Sequence, residues 1–416
     1  YVSQPQGYEI YGPKKQKLVC QLNTYLYGLL QASREFNRYL KAILVKQLKF
    51  RQTDSDTCLF VKDTSDDKRR MIVATYVDDL IVIATNQSDM DTFLQTLRKT
   101  FPVTVNDLLT DAQILGISIS YNRNEGILHL HQKHTIEAAL KKFEFDQLTK
   151  ASTPFEENWH PDLHRTTDST IVDKFPIRET IGTLNDIQIH TRPDIAYAVS
   201  RCQREMHKPT YSLVVAIKRI FRYLIGTLDF HLISHRNPSI KSLAPTDILT
   251  SYSDANWGVY DHDLQYTMKS TSGHIHFLFN TPISWAVKVQ QGKPAQSSGE
   301  SEYIGTYHCL QEDVHLVNIL SELGVTVKTP QDIKIIAYTD SESCIGMSKN
   351  PVNHKRNKHI MLKYHYIRHM IEDDEAQLRK VRAADNPADL FTKAIRTVKL
   401  FHHLRNIIFQ ADISKR

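Results

Sequence analysis

No run of about eighteen apolar residues occurs in the chain, which excludes a membrane-spanning helix on the sequence. The opening Tyr-Val-Ser-Gln-Pro-Gln-Gly lacks the pattern of a signal peptide, and with no initiating Met the sequence reads as a piece of a longer protein. Cysteine is sparse: Cys20, Cys58, Cys202, Cys309 and Cys344 are scattered and odd in number, with no CxxC spacing. Neither a zinc site nor a disulfide framework is indicated, and the five read as reduced, partly buried thiols of an intracellular protein. Internal repeats and low-complexity segments are absent as well.

What is present fits a large globular chain. Its 416 residues allow two or three domains, and 41% hydrophobic with 24% charged content is ordinary for such proteins. Lys and Arg number 52 against 46 Asp and Glu, a net charge of +6 with 20 His besides. That mild basicity permits nucleic-acid binding without establishing it.

Periodicity predicts a mainly helical stretch over 21–50, with apolar positions at Tyr39, Leu40, Ile43, Leu44 and Leu48. Strand-like runs follow at 56–62, 71–77 and 80–84, then a helix over 88–100 that Ser88 or Asp89 would cap. The runs 114–119 and 127–130 predict a strand pair around an Asn122–Gly126 turn. Helices are expected at 134–143, 173–189 and 212–226. Asn237–Thr246 is the best linker, so a domain boundary is expected near 240.

Two sets of carboxylates stand out. Tyr76-Val77-Asp78-Asp79-Leu80 lies between the apolar runs Met71–Ala74 and Ile81–Ile83, which predicts a β-hairpin with Asp-Asp at or near its turn. A solvated turn is the ordinary reading of such a pair, yet adjacent anions repel and a bound Mg²⁺ would relieve them. The second set comprises Asp254 in a strand, Glu302 at the start of a serine-capped helix, Asp340 at a strand tip and Asp389 in an N-capped final helix. Four acids at the ends of different elements match the needs of a two-metal nuclease, in which carboxylates bridge and flank ions about 3.5–4 Å apart.

With these motifs in hand the chain resembles the C-terminal part of a copia-type long-terminal-repeat retrotransposon polyprotein, across most of a reverse transcriptase and its RNase H. Leu26–Arg34 is similar to the element where the palm meets template and incoming nucleotide, which implies roles for Gln31 and Arg34. The 76–80 pentapeptide is similar to the metal-binding turn, and Ile114-Leu115-Gly116 resembles a primer-grip strand, implying a nucleic-acid contact at Gly116. Thr191–Tyr197 and Lys218–Thr227 resemble signatures of the thumb and connection. Tyr252–Asp254, Lys269–Gly273, Ile283–Trp285, Glu300–Tyr303, Thr339–Ser341 and Ala388–Lys393 resemble its RNase H.

The resemblance implies an α+β chain: a partial right-hand polymerase palm (1–150), a thumb and connection (151–240), then an RNase H-like mixed-sheet α/β domain with a C-terminal helical tail (241–416). It implies catalytic and metal-binding roles for Asp78 and Asp79 in RNA-directed DNA synthesis, and for Asp254, Glu302, Asp340 and Asp389 in cleavage of RNA within RNA–DNA hybrids. Glu302 is preferred to Glu300, which reads as a first-turn acid favoured by the helix dipole. Lys269 and Lys288 are positioned to meet phosphates or simply to solvate a face. The Lys358-His359-Ile360 element leaves His359 open between a hybrid-backbone contact and a helix-start histidine. Two Mg²⁺ per site are expected, with Mn²⁺ as a substitute. Expected partners are RNA template, DNA primer, RNA–DNA hybrid and dNTPs, with other Pol segments (integrase, Gag) or a second copy as further candidates and no membrane. An intracellular location follows, in a cytoplasmic virus-like particle, the nucleus or both.

The sequence also departs from that family. A third polymerase acid belongs upstream of a segment like Tyr1–Gly7, so the fingers and first metal-binding Asp are expected to be missing and the chain alone is not expected to extend a primer. Leu30 and Ser33 replace Lys and Pro, Asn185–Gln188 replaces an aromatic-rich stretch, and Gly299 replaces Thr. The competing function is a catalytically dead, nucleic-acid-binding remnant.

Overall fold

Every second residue of Arg70–Tyr76 is buried, the two-residue period of a strand with one face on a core. The computed structural model describes residues 1–23, 29, 31–63, 70–107, 112–161, 163, 170–236, 248–258, 269–325, 333–349 and 361–409. These form two compact units, 1–104 and 105–416. The linker expected at 237–246 and the Lys358–Ile360 element lie outside the described residues.

In the first unit β1 (Val2–Ser3) pairs with β2 (Val19–Cys20), and β3 (Arg51–Gln52), β4 (Leu59–Asp63), β5 (Arg70–Tyr76) and β6 (Asp79–Ala84) form an antiparallel sheet in that order. Helix α1 (Ala32–Ala42) runs on as a π-helical turn, Ile43–Gln47, and α2 (Gln87–Arg98) follows the sheet. Leu40, Ile43, Leu44, Phe60, Val73, Phe93 and Leu97 make the core between helices and sheet. The cap of α2 is Asn86 rather than Ser88 or Asp89: its side-chain oxygen accepts from the Ser88 N–H at 2.8 Å, so the helix begins ahead of both expected caps.

The second unit holds two sheets. The smaller comprises β7 (Ala112–Ile114), β8 (Ile117–Asn122), β9 (Ile127–His131) and, at its other edge, β10 (Leu232–His235). The run 114–119 is not one strand, because Leu115 and Gly116 both take positive φ and turn the chain between β7 and β8. Between β9 and β10 come α3 (Lys133–Lys142), α4 (Thr170–Lys174), α5 (Ile177–His190), α6 (Ala196–Arg204) and α7 (Tyr211–Ile225). The helix expected over 173–189 is broken at Phe175-Pro176, where proline cannot continue the ladder.

The larger sheet has the order β13-β12-β11-β14-β15. Strands β11 (Leu249–Asn256), β12 (Thr271–Leu278) and β13 (Thr281–Val289) form an antiparallel meander; β14 (Ile335–Thr339) and β15 (Ala376–Lys380) add parallel to it. The crossover from β13 to β14 contains α8 (Ser298–Glu322), which packs on β11 and β12. Helices α9 (Glu342–Lys349) and α10 (Met361–Glu372) separate β14 from β15, and α11 (Val398–Phe409) closes the chain. That last helix is no trailing tail. Phe401, Leu404, Ile408 and Phe409 are buried with Ile217, Tyr223 and Leu232 in one core, since its apolar residues recur on a single face.

That core encloses an ion pair. Arg192 donates to both Asp194 oxygens at 3.0 and 2.8 Å, to the Thr227 carbonyl at 3.0 Å and to its hydroxyl at 2.6 Å. Tyr223 donates to Asp194 at 2.6 Å, and the guanidinium lies over the rings of Tyr223, Phe230 and Phe409. A buried charge pair is retained only where hydrogen bonds satisfy it, and here every guanidinium nitrogen and both carboxylate oxygens have a partner. The Thr191–Tyr197 and Lys218–Thr227 signatures are thus two halves of one buried network.

Candidate active site

Asp254 sits near the end of β11, opposite Gly273 of β12. A Cβ on Gly273 would lie 2.5 Å from the Phe391 Cβ, 2.8 Å from Thr392 Cγ2 and 3.1 Å from the Phe391 carbonyl carbon. Glycine therefore lets the chain segment carrying Asp389 press onto the strand. That segment is a 3₁₀ turn, Pro387–Phe391, and not the final helix expected from its sequence. Asn386 caps it, accepting from the Ala388 N–H at 3.2 Å and donating to the Ser253 carbonyl at 3.1 Å, while the Thr392 hydroxyl donates to Asp254. Cap and glycine together deliver Asp389 to Asp254.

Helix α8 brings Glu302. Ser297 accepts from the Glu300 N–H at 3.1 Å, and the Glu300 carboxylate reaches back to accept from the Gln296 N–H at 2.8 Å, a reciprocal cap. Glu300, 4% exposed, is thereby committed to the helix start. One turn on, a Cβ on Gly305 would lie only 3.2 Å from the Asp254 carbonyl oxygen, so helix and strand pack closely beside Glu302. Gly299 likewise fits the approach of α9, where a Cβ would meet the Ser343 hydroxyl at 2.8 Å. Asp340 follows the last residue of β14.

One carboxylate oxygen each from Asp254, Asp340 and Asp389 lies within 4.8 Å of the others. Burial, then the charges of Asp254 and Asp340, push Glu302 up to about 9. Burial and the Asp254 charge push Asp389 up to about 8 and raise Asp340 as well. Asp254 is thus the hub of the repulsion. Among the described residues Glu302 Oε2 is buried with no hydrogen-bond partner. A divalent cation would both relieve the crowded charge and give that oxygen a partner, so the donor set fits a hard metal ion.

A cation of the chain's own already stands there. Lys393 Nζ is 2.8 Å from Asp389 Oδ1 and 3.6 Å from Asp254 Oδ2. Burial alone would depress its ammonium, but Asp254 and Asp389 outweigh burial and raise it. Its role was not read from the sequence; the i,i+4 spacing from Asp389 was the available signal.

Asp78 and Asp79 occupy a different unit. Tyr76 pairs with Asp79, leaving Val77-Asp78 as a two-residue hairpin turn with both carboxylates exposed. Val77 takes φ 49°, the positive φ of a two-residue hairpin turn and an uncommon one for a β-branched residue. Among the described residues neither Asp joins two others in a metal-holding group. Gln31 and Arg34 are exposed at the start of α1 in that unit. Gly116 lies in the other unit at the β7–β8 turn, its carbonyl accepting from the Thr135 hydroxyl at 2.9 Å. Lys269 is half-buried just before β12, Lys288 is exposed on β13, and His359 is outside the described residues.

The family profile described as reverse transcriptase (RNA-dependent DNA polymerase) matches residues 1–157. The chain is 33% identical over 403 residues to the retrovirus-related Pol polyprotein from transposon TNT 1-94 of Nicotiana tabacum, covering 95% of this chain and 28% of that protein. It is 31% identical over 312 residues to the putative transposon Ty5-1 protein YCL074W of Saccharomyces cerevisiae, covering 75% of this chain and 94% of that one. The chain therefore spans about a quarter of the tobacco polyprotein but nearly all of the yeast protein. A foamy viral protease-reverse transcriptase solved with an RNA/DNA hybrid aligns with TM-score 0.45 and 13% identity, over 94% of this chain and 42% of that one. That likeness is loose, and the fold described above rests on strand order and helix packing instead.

Proposed function

Because the chain belongs to the Pol family of copia-type long-terminal-repeat retrotransposons, we propose that its C-terminal sheet unit is a ribonuclease H cleaving the RNA strand of RNA–DNA hybrids. The observation that carries the reading is the convergence of Asp254, Asp340 and Asp389 from β11, the end of β14 and a 3₁₀ turn, with the orphaned Glu302 oxygen beside them. Magnesium ions bound there would polarise the scissile phosphate and lower the pKa of an attacking water. The chain's own residues prepare that chemistry. Asp254 acts as the shared ligand, since its charge raises each of its three neighbours. Thr392 and Asn386 fix Asp254 and the Asp389 turn against each other. Lys393 balances the carboxylates before loading and is positioned to meet a phosphate oxygen once metal replaces it.

The N-terminal unit is read as the palm of an RNA-directed DNA polymerase acting on RNA template, DNA primer and dNTPs, with Asp78 and Asp79 as metal ligands. The exposed two-residue turn supports this. The reading carries an intracellular site of action, a virus-like particle or the nucleus.

The deciding experiment is Mg²⁺-dependent cleavage of an end-labelled RNA–DNA hybrid by the full chain. Activity is expected in the wild type and absent in Asp254→Asn and Asp340→Asn. Hybrid binding with no cleavage in the wild type would instead favour the dead remnant, and cleavage surviving both substitutions would refute the site.

A further inference from the structure

The interface between α8 and the sheet is polar. Ser251 and Ser253 of β11 stand opposite His276 and His274 of β12, on the face that meets Thr306, Cys309 and Asp313 of α8. All seven are at most 2% exposed. His276 Nδ1 is 2.7 Å from Asp313 Oδ1, and the Ser251 hydroxyl donates to Asp313 Oδ2 at 2.7 Å. Cys309 Sγ lies 3.8 Å from the same Oδ2. His276 Nε2 is 2.8 Å from His274 Nδ1, while His274 Nε2 has no hydrogen-bond partner among the described residues. Among those residues the only ion-pair partner of the Asp313 carboxylate is His276. A fully buried Asp with no Lys or Arg against it is costly, and the arrangement asks for a compensating charge.

We propose that His276, Cys309 and Asp313 form a buried binding site for a zinc-class divalent cation. One donor atom from each lies within 4.8 Å of the others. Tetrahedral zinc bonds of about 2.0–2.3 Å set donor separations of about 3.3–3.6 Å. The 2.7 Å separation of His276 Nδ1 from Asp313 Oδ1 must open by roughly half an ångström, and Cys309 Sγ, 3.8 Å from the other oxygen Oδ2, must turn towards Oδ1. Imidazole, thiolate and carboxylate suit zinc, whereas the all-carboxylate cluster around Asp254 suits magnesium. The thiol proton leaves to solvent on binding, so thiolate and carboxylate neutralise the dication within the core.

The surroundings match a metal's outer shell. With Nδ1 on the ion, His276 Nε2–H donates to His274 Nδ1 and fixes the ring, and Ser251 holds the second Asp313 oxygen. The fourth position falls to a water or a backbone carbonyl. The site ties the meander to α8 and is independent of hybrid cleavage.

Titrating the chelator-stripped full chain with Co²⁺ tests this. One equivalent is expected to give a thiolate-to-metal charge-transfer band that Zn²⁺ abolishes. Cys309→Ser should lose the band, Asp313→Asn should weaken Zn²⁺ binding at least tenfold, and the Asp254→Asn, Asp340→Asn double variant should keep both band and affinity. A wild-type chain with no such band, or a band that persists in Cys309→Ser, overturns the proposal. Because the wild-type titration decides by itself, a variant that fails to fold leaves the test intact.

Discussion

Replacing Gly273 by Ala should separate the fold from the site it positions. The new Cβ would begin 2.5 Å from the Phe391 Cβ and 3.1 Å from its carbonyl carbon. Carbon atoms settle at about 3.5–4.0 Å, so the 387–391 turn must retreat by roughly 1 Å. Rotation about the Thr392 side chain would move only its Cγ2, 2.8 Å away, and no rotamer change relieves the contacts with the Phe391 Cβ and carbonyl carbon. Overpacking of this kind costs about 1–3 kcal/mol, and the lower chain entropy of Ala in the unfolded state returns about 0.4–1. A net loss of about 1–2 kcal/mol lowers the melting temperature by only a few degrees. Activity should fall further. Asp389 rides on the displaced turn, and a misplacement near 1 Å costs on the order of 100-fold in rate. Hybrid cleavage measured across Mg²⁺ concentrations, beside a melting curve, reads both effects. Gly299→Ala is the control, because its closest contact is the Ser343 hydroxyl, which can rotate away from its Ser341 hydrogen bond, and it should lose far less activity than Gly273→Ala. Wild-type cleavage and Mg²⁺ response in Gly273→Ala would refute the argument that this glycine sets the Asp389 position.

Other perturbations follow from the same geometry. Glu302 and Asp389, held up at about 9 and about 8 without metal, keep protons that the unfolded chain has released above its ordinary carboxyl range. Their contribution to stability is therefore lost as pH rises from about 4 towards 9. In chelator the melting temperature should fall across that window less steeply in Glu302→Gln, and an unchanged slope would count against the raised carboxyl. Asp194→Ala strands the buried Arg192 guanidinium and should cost about 3–5 kcal/mol in denaturant unfolding of the C-terminal unit. A loss below 1 kcal/mol would mean that the pair is not the keystone of that core. Lys393→Met removes a cation competing for the Asp254 and Asp389 oxygens, so half-saturation by Mg²⁺ should drop roughly tenfold, read by metal titration of the variant. An unchanged or raised Mg²⁺ requirement would argue against competition.

How far the sequence revealed this arrangement depended on whether the signal was local. The four acids stood out as a set at the ends of different elements in motifs that resemble the family's RNase H, and Glu300 was set apart from Glu302 as a first-turn helix acid, the place where its carboxylate accepts from the Gln296 N–H. A hairpin with Asp-Asp at or near its turn was legible from the apolar runs on either side, and the turn falls at Val77-Asp78. Local signals failed where tertiary contact decides the outcome. Nothing local to Gly273 indicates that the Phe391 segment lies on it, and the C-terminal stretch was expected as a helical tail although the face of α11 carrying Phe401, Leu404 and Ile408 is buried. Lys393 gave only a spacing, with nothing to show that Asp254 would stand on its other side.

The histidine and cysteine cluster shows why a spacing test can miss a possible metal site. A search for CxxC finds ligands that share a loop, and none occurs here. In this chain His274 and His276 are two apart on a strand, so both side chains fall on one face, while Cys309 and Asp313 are four apart on a helix, so they too share a face. Each pair is unremarkable alone, because a strand face or helix face holding two polar residues is ordinarily solvated. They become one buried cluster only because α8 crosses β11 and β12 at the register that sets Ser251 opposite His276, and that register is fixed by the long antiparallel pairing of β11 with β12 rather than by any of the donor residues. A single-residue slip in that pairing would turn His274 and His276 to the far face of the sheet and leave Asp313 buried with no partner for its charge, so the register of the meander and the identity of the donors have to be correct together.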